Sequence, residues 1–533
     1  MRERTALLAA GLLLLVGLTL PLTAPDETRY SEIPKEMVAG GDWIVPHRHG
    51  EPYLDKPPLH YWLVAASYEL LGPRPGLVRW PSVLGAVFCV GALYLLGRKL
   101  YGETVALGAA VILAAMPGLQ VAAHYGSLDV LFTLWMTLGQ LSLWLGLRRS
   151  DRVDYRWIVG AGLSCGLGLL TKGPVALVLA VPPVLLWDWL RGNRIRVAAW
   201  AAFGSTAALV AGPWFVAVSL RQPSFWQYFF VRHNLARFAG TLEHQRSWWF
   251  FIPVVLVGLL PFSLLIPRVA TALFKVDPGL RRQRTEELGI ALMAAVWPVL
   301  FFSISVGKLA PYVLPAFPFM ALVLAWYFSL LPRPHSRLRA THLVAISAAL
   351  GFVLLTNGAS VAGPFGQPWG TRTQAFWIVL WLIAFTACWT VRARRFTAAT
   401  IAGLLLSAQL LATALPAVAK AQSLFGRAAA QAERLGKEGP LAVVLIAEED
   451  DTMLIMERYP LPILQLDPAD HRGLQILLED RGELVLVSEP KHVAWLDGEP
   501  AYRMDMVDGR GHVFHLARVR ALQEQPAEAD GAL

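Results

Sequence analysis

The chain has 533 residues, of which 55% are hydrophobic and only 16% charged, with a mean hydropathy of +0.48. Soluble domains carry about a quarter of charged residues, so a water-soluble globular fold is excluded and an integral membrane protein is indicated. The formal charge of +9 would suit a nucleic acid, but Lys and Arg lie in short clusters between apolar runs, so no nucleic acid is expected.

A helix needs about 20 apolar residues to cross the hydrocarbon core. Runs of that kind lie near residues 5–23, 77–97, 104–119, 127–147, 157–171, 174–190, 197–220, 248–266, 288–306, 312–331, 340–358, 374–391 and 397–418. The expectation is a polytopic α-helical membrane protein with about 13 transmembrane helices. The first run also reads as a cleaved signal peptide, but no clear small-x-small site precedes Asp26. Leu59–Leu71 is apolar but short and follows Pro57-Pro58, which suits a helix lying in the interface. The 3 cysteines, Cys89, Cys165 and Cys388, each sit inside an apolar run as buried thiols, with no disulfide framework.

The basic clusters test the alternation. With Arg2 and Arg4 in the cytoplasm, the same side receives Arg98-Lys99, Arg148-Arg149, Arg191 to Arg196, Lys275 to Arg284, Arg333 to Arg339 and Arg392 to Arg395. All fall on one side, as the positive-inside rule requires. The other side receives residues 24–58, about 120–128, 221–247, 307–311, 359–373 and everything after about 420. In that tail "LAVVLIAE", "ELVLVSE" and "HVFHLARV" read as strands and "DHRGLQILLEDRG" as a helix, a small C-terminal α/β domain. The predicted division is residues 1–419 in the membrane, with a working loop at 24–58, and 420–533 as a periplasmic domain.

The outward segments carry the chemistry. The first loop begins "DETRYSEI", where Asp26, Arg29 and Tyr30 share one face of a helical turn. It returns through "EPYLDKPP", with Tyr53, Asp55 and Lys56 ahead of two φ-fixing prolines. Asp129 opens the fourth span, where a carboxylate is costly and usually functional or paired. Lys172 and Lys308 sit at outer span ends, and each reads equally as a snorkelling interfacial residue. The loop 221–247 supplies His233, Arg237 and His244, and "GKLAPYVLP" supplies Lys308 and Tyr312. Cations at a membrane edge suit a phosphate whose lipid tail stays in the bilayer. A carboxylate beside them suits a base or the stabilisation of positive charge, and sugar transfer from a lipid phosphate needs both.

"DETRYSEIPKEM", "GDWIVPHRHGEPYLDKPPLHYWL", "LLTKGP", "RHNLARF" and "GKLAPYVLPAFP" resemble the lipid A 4-amino-4-deoxy-L-arabinose transferases and their relatives. These belong to the GT-C superfamily, which includes the protein O-mannosyltransferases, and the likeness runs in order through most of the first 330 residues. It implies a bacterial inner-membrane glycosyltransferase that takes a sugar from polyprenyl (undecaprenyl) phosphate on the periplasmic side, with a lipid or glycolipid acceptor such as lipid A. It implies Asp26 and Asp129 as catalytic aspartates, and Arg29, Lys56, Arg237, Lys172 and Lys308 as phosphate-binding residues. Tyr30, Tyr53 and Tyr312 would line the cavity. Asp55 and His233 match a position that can bind a divalent metal such as zinc, although Asp stands where many relatives have Glu and two ligands are half a tetrahedral shell. No nucleotide is expected, since the donor carries none.

Three alternatives stay open at this level. The same donor class can serve hexose, pentose or mannose transfer to polysaccharide, hopanoid or protein. A lipid-linked solute transporter would place charges near the bilayer midplane, whereas these gather at one edge. A structural or sensory protein would leave the first-loop charges without a purpose.

Overall fold

In hydrocarbon every backbone N–H must be bonded within the protein, so apolar runs become helices. The computed structural model describes residues 2–14, 22–23, 26–48, 50–236, 245–275, 284–330, 337–356, 371–390, 395–416, 442–446, 463–466, 470–481, 483–488, 502–508 and 515–521. Each apolar run of the sequence carries helix within those residues. Six helices are long and apolar enough to cross a membrane, or seven if the bent pair Trp248–Gly258 and Phe262–Phe274 counts as one. The chain is an integral membrane protein. It divides into two units, one of Met1–Leu18, Tyr30–Thr356 and Trp369–Leu415, the other of Thr19–Arg29, Asn357–Pro368 and Pro416–Leu533.

Two runs behave in ways that hydropathy alone does not reveal. The stretch Pro75–Ala115 is helical throughout except at Gly102, whose φ of 79° glycine alone adopts readily. A Cβ on Gly97 would stand 3.4 Å from that of Ala106, whereas nine residues of straight helix separate such positions by about 13 Å. The chain therefore folds back at Gly102, and the runs 77–97 and 104–119 are two helices. The run 248–266 was expected to be one straight span. Instead its helix stops at Gly258 and resumes beyond Pro261, bent by 105°. Pro261 brings no N–H to the ladder and its ring clashes with a continued helix.

Lipid offers helices no hydrophobic drive to associate, so close backbone approach has to supply packing energy. The helix Tyr155–Lys172 carries Gly162 and Gly166 one turn apart on the side that meets Val197–Arg221. A Cβ at Gly162 would lie 2.7 Å from the Phe203 carbonyl, and one at Gly166 would lie 3.0 Å from that of Ala207. At the far end of this bundle the helix Asp129–Leu147 exposes the orphan carbonyls of any helix terminus. Arg196 answers them, donating to Leu147 at 2.6 Å and Arg149 at 2.7 Å, while the same guanidinium holds both oxygens of buried Asp188 at 2.9 Å.

The second unit contains a five-stranded sheet in the order Ile463–Leu466, Ala442–Ile446, Glu483–Ser488, His515–Ala521, Tyr502–Asp508. The first two pairings are parallel and the last two antiparallel. The helix His471–Arg481 buries Leu474 and Leu478 against Val444, Leu484, Leu486 and Val519. Tyr502–Asp508 is absent from the sequence reading because Arg503 and Asp505 interrupt its apolar pattern. Such charges are usual on an edge strand, which is where it lies.

The close helix approach is directly testable. Gly162→Ala or Gly166→Ala overpacks a backbone contact and costs about 1–3 kcal/mol. Gly160→Ala, where nothing lies within 4 Å of the new methyl in mid-helix, does not lower the unfolding temperature in detergent.

Candidate functional site

The second unit holds the start of the first loop. Glu27 accepts from the Thr23 N–H at 2.8 Å while its own N–H donates to the Thr23 carbonyl at 3.0 Å, which anchors the start of the helix Asp26–Gly40. In its first turn Arg29 is ion-paired with Asp26.

In the first unit, the chain after this helix is pinned at several points. Asp42 accepts from the N–H groups of Ile44 and Val45 and pairs with Arg221 at 2.8 Å. Trp62 and Trp214 donate from their indoles to the carbonyls of Trp43 and Ile44. A short hairpin pairs His47 with Pro52 and Arg48 with Glu51, turning at Gly50, whose φ is 75°. Glu32 and Glu36 reach the hairpin at Arg48 and Gly50, and the Tyr53 N–H donates to Pro46 at 2.7 Å. Asp55 and Lys56 thus leave a fixed hairpin and enter the helix Leu59–Leu71 through two prolines.

Asp55 and Lys56 meet the segment Gln227–Ala236. This is a π-helix, whose i→i+5 hydrogen bonds widen the turn and bring residues five apart nearer to one face than an α-helix does. Tyr228 and His233 are five apart, and their rings lie parallel to within 17° at 6.4 Å. The Tyr228 hydroxyl donates to Asp55 Oδ1 at 2.5 Å, His233 Nδ1 lies 3.6 Å from the same oxygen, and Lys56 Nζ lies 2.8 Å from His233 Nε2. Burial works against ionisation of Asp55. The neighbouring His233, the Tyr228 hydroxyl, Lys56 and Tyr53 outweigh it and hold the carboxyl below its ordinary value. Burial, together with the Asp55 carboxylate, pushes the Tyr228 phenol up to about 12, so it remains a donor.

A second cluster lies where the helix Asp129–Leu147 begins. Lys172, the last residue of its helix, places Nζ 2.5 Å from Asp129 Oδ1, and Ser127 donates to Oδ2 at 3.1 Å. The pair is only 11% and 15% exposed. The Tyr312 ring lies 4.7 Å from the same ammonium and the Phe132 ring 5.4 Å. His60, completely buried, stands edge-on to Tyr30 at 5.5 Å, and neither of its nitrogens has a hydrogen-bond partner among the described residues.

The structure therefore brings Tyr53, Asp55, Lys56 and His233 together, and separately Asp129, Lys172 and Tyr312. Lys308 is 3% exposed, and its ammonium donates to the carbonyls of Ser305 and Arg246. Of the two lysines expected to hold phosphate, Lys172 is ion-paired with Asp129 and Lys308 bonds backbone carbonyls. Arg237 and His244 lie outside the described residues. Sequence reasoning missed Tyr228 and His60. Five residues of α-helix turn through about 500°, which points Tyr228 and His233 apart, so only the π-helix reveals the pair. Among the described residues no third His, Cys, Asp or Glu joins Asp55 and His233 to make a metal cluster.

His60 gives a pH prediction. Burial lowers its pKa from 6.5 to about 4, against the opposing pull of Asp129. The unfolded chain then binds a proton that the folded one refuses, so stability is full above pH 6.5 and is lost as pH falls towards 4. Thermal unfolding between pH 7 and 4.5 shows the drop, and His60→Gln shrinks it, by at most roughly 3 kcal/mol.

Residues 3–229 match the family model described as dolichyl-phosphate-mannose-protein mannosyltransferase. The undecaprenyl phosphate-alpha-4-amino-4-deoxy-L-arabinose arabinosyl transferase of Edwardsiella ictaluri is 34% identical over 418 residues, which is 74% of this chain and 73% of the relative. That of Pseudomonas aeruginosa strain UCBPP-PA14 is 33% identical over 428 residues, or 77% and 75%. The crystal structure of ArnT from Cupriavidus metallidurans bound to undecaprenyl phosphate superposes with a TM-score of 0.70 at 22% identity, covering 97% of both chains, and so shares the fold. A third of the residues identical across three quarters of both chains is more than a common fold requires, and the chain belongs to the undecaprenyl phosphate-alpha-4-amino-4-deoxy-L-arabinose arabinosyl transferase family.

Proposed function

We propose that the protein moves 4-amino-4-deoxy-L-arabinose from undecaprenyl phosphate to a phosphate-bearing lipid acceptor such as lipid A, at the periplasmic side of the inner membrane. The observation that carries this reading is the identity with the arabinosyl transferases over three quarters of the chain. The positive-inside pattern supports the orientation, with about 13 spans and residues 420–533 as a periplasmic α/β domain.

The reaction is a single displacement. An acceptor oxygen bonds to the anomeric carbon as the bond from that carbon to the carrier-phosphate oxygen breaks, and the bonding pair leaves with the phosphate. Charge grows on that phosphate, so cations fixed beforehand lower the barrier. In this reading Arg29, Lys56 and Arg237 hold it. Lys56 is already oriented by His233, at 2.8 Å. A phosphate acceptor arrives ionised and needs little base catalysis, so Asp26 serves mainly to position it. Asp129 is the second functional aspartate, with Lys172 as its counter-charge, while Tyr30, Tyr53 and Tyr312 line the cavity. Lys172 and Lys308 add positive charge for binding the same phosphate. A divalent cation at Asp55 and His233 is proposed only as a co-ligand of the carrier phosphate, because these donors are half a tetrahedral shell.

The test incubates membranes with defined undecaprenyl-phosphate sugars and lipid A and reads products by mass spectrometry. The wild type forms aminoarabinosyl lipid A, and Lys56→Met loses at least about 100-fold in kcat/KM, or about 2.7 kcal/mol of transition-state stabilisation. Asp26→Asn, expressed at normal levels, loses activity to a similar degree. Transfer of another sugar in preference, or an active Asp26→Asn, overturns the assignment. EDTA treatment that leaves the rate unchanged removes the cation and keeps the transferase.

A further inference from the structure

His60 stands in the first turn of the helix Leu59–Leu71, completely buried, and neither Nδ1 nor Nε2 has a hydrogen-bond partner among the described residues. Buried polar atoms are almost always paired, so two idle nitrogens on one side chain point to a partner that comes and goes. Tyr30 lies edge-on to the ring at 5.5 Å and Tyr61 at 6.4 Å. The Asp129 carboxylate favours a proton on the ring, but burial prevails and keeps it neutral down to about pH 4. A neutral imidazole has one nitrogen that donates and one that accepts. In the function proposed above Tyr30 is a cavity residue and Asp129 a functional aspartate, so this idle donor and acceptor stand beside the groups assigned to the reaction.

We propose that His60 hydrogen-bonds the pentose as it is transferred and so helps to select it. This rests on the function proposed above, and it follows from which groups meet at the reacting carbon. The carrier phosphate and the acceptor phosphate are ionised and accept hydrogen bonds, and the isoprenoid tail neither donates nor accepts. The accepting nitrogen of His60 needs a polar hydrogen. Only the pentose brings one there, on its 2- and 3-hydroxyls and its 4-amino group. A hydroxyl also accepts, so it suits either nitrogen. The ring is covered in this structure, so the sugar reaches it when a covering side chain turns aside, and Tyr30, from another segment, is one that packs against it. An idle buried group destabilises the protein. A sugar lacking the matching hydroxyl or amine leaves it idle, which is how a polar site rejects a deoxy analogue.

The experiment measures kcat/KM of the purified protein in detergent with lipid A as acceptor. The undecaprenyl-phosphate donors carry 4-amino-4-deoxy-L-arabinose or analogues that lack the 2-hydroxyl, the 3-hydroxyl or the 4-amino group. Wild type is compared with His60→Phe, and thermal unfolding at pH 7 is followed in parallel. In the wild type one of the analogues loses about 10- to 100-fold against the full sugar. His60→Phe loses about as much with the full sugar but no longer discriminates against that analogue, because the sugar group and the imidazole act as a unit. Its unfolding temperature does not fall, since an apolar ring has replaced an unpaired polar one. His60→Leu gives the same pattern and guards against overpacking by the larger phenyl ring. Penalties that are the same in wild type and both variants for every analogue overturn the proposal while leaving the transferase reading in place. So does a lower unfolding temperature in both variants with an equal loss on all donors, the mark of a structural histidine. A wild type that transfers none of these sugars removes the functional reading and this inference with it.

Discussion

A charge near the edge of a hydrocarbon layer must find its partner inside the protein, because little water is there to solvate it. Much of the first unit is arranged around that constraint. Lys172 is neutralised by Asp129, Arg196 by Asp188, and Lys308 is satisfied by carbonyls. Each such pairing also ties together segments far apart in sequence. The Lys172–Asp129 pair joins the end of one helix to the start of another, and the Tyr312 ring from a third segment lies beside the same ammonium. Breaking one partner of a buried pair leaves the other charge uncompensated, which costs more than the intact pair contributes.

Lys56 satisfies the same constraint differently. Its ammonium lies 2.8 Å from Nε2 of the His233 imidazole, whose other ring nitrogen faces the Asp55 carboxylate. That contact ties the first-loop hairpin to the segment Gln227–Ala236, as the ion pairs tie other distant segments.

The framework that holds these groups combines close backbone contact with packed aromatic side chains. Gly162 and Gly166 let two helices approach until a methyl group would strike a carbonyl. The hairpin of residues 47–52 and the indole bonds of Trp62 and Trp214 fix the return of the first loop. Rigidity of this kind matters because a misplaced cation stabilises a leaving phosphate poorly.

The apolar runs by themselves determined the helices, because a backbone in lipid has no alternative to internal hydrogen bonds. The motifs "DETRY", "LDKPP" and "RHNLARF" likewise marked most of the candidate site residues, since ionisable groups at span ends are rare enough to stand out. What hydropathy could not supply was direction within a run. The reversal at Gly102 depends on a single positive φ, and the bend beyond Gly258 on one proline. Nor could spacing reveal Tyr228 beside His233, because helical periodicity assumes the α-helical turn and the chain there is wound more widely. That Lys172 meets Asp129 and Lys56 meets His233 was decided only by the tertiary structure, because the charge of a side chain is written in the sequence and the identity of its neighbour is not.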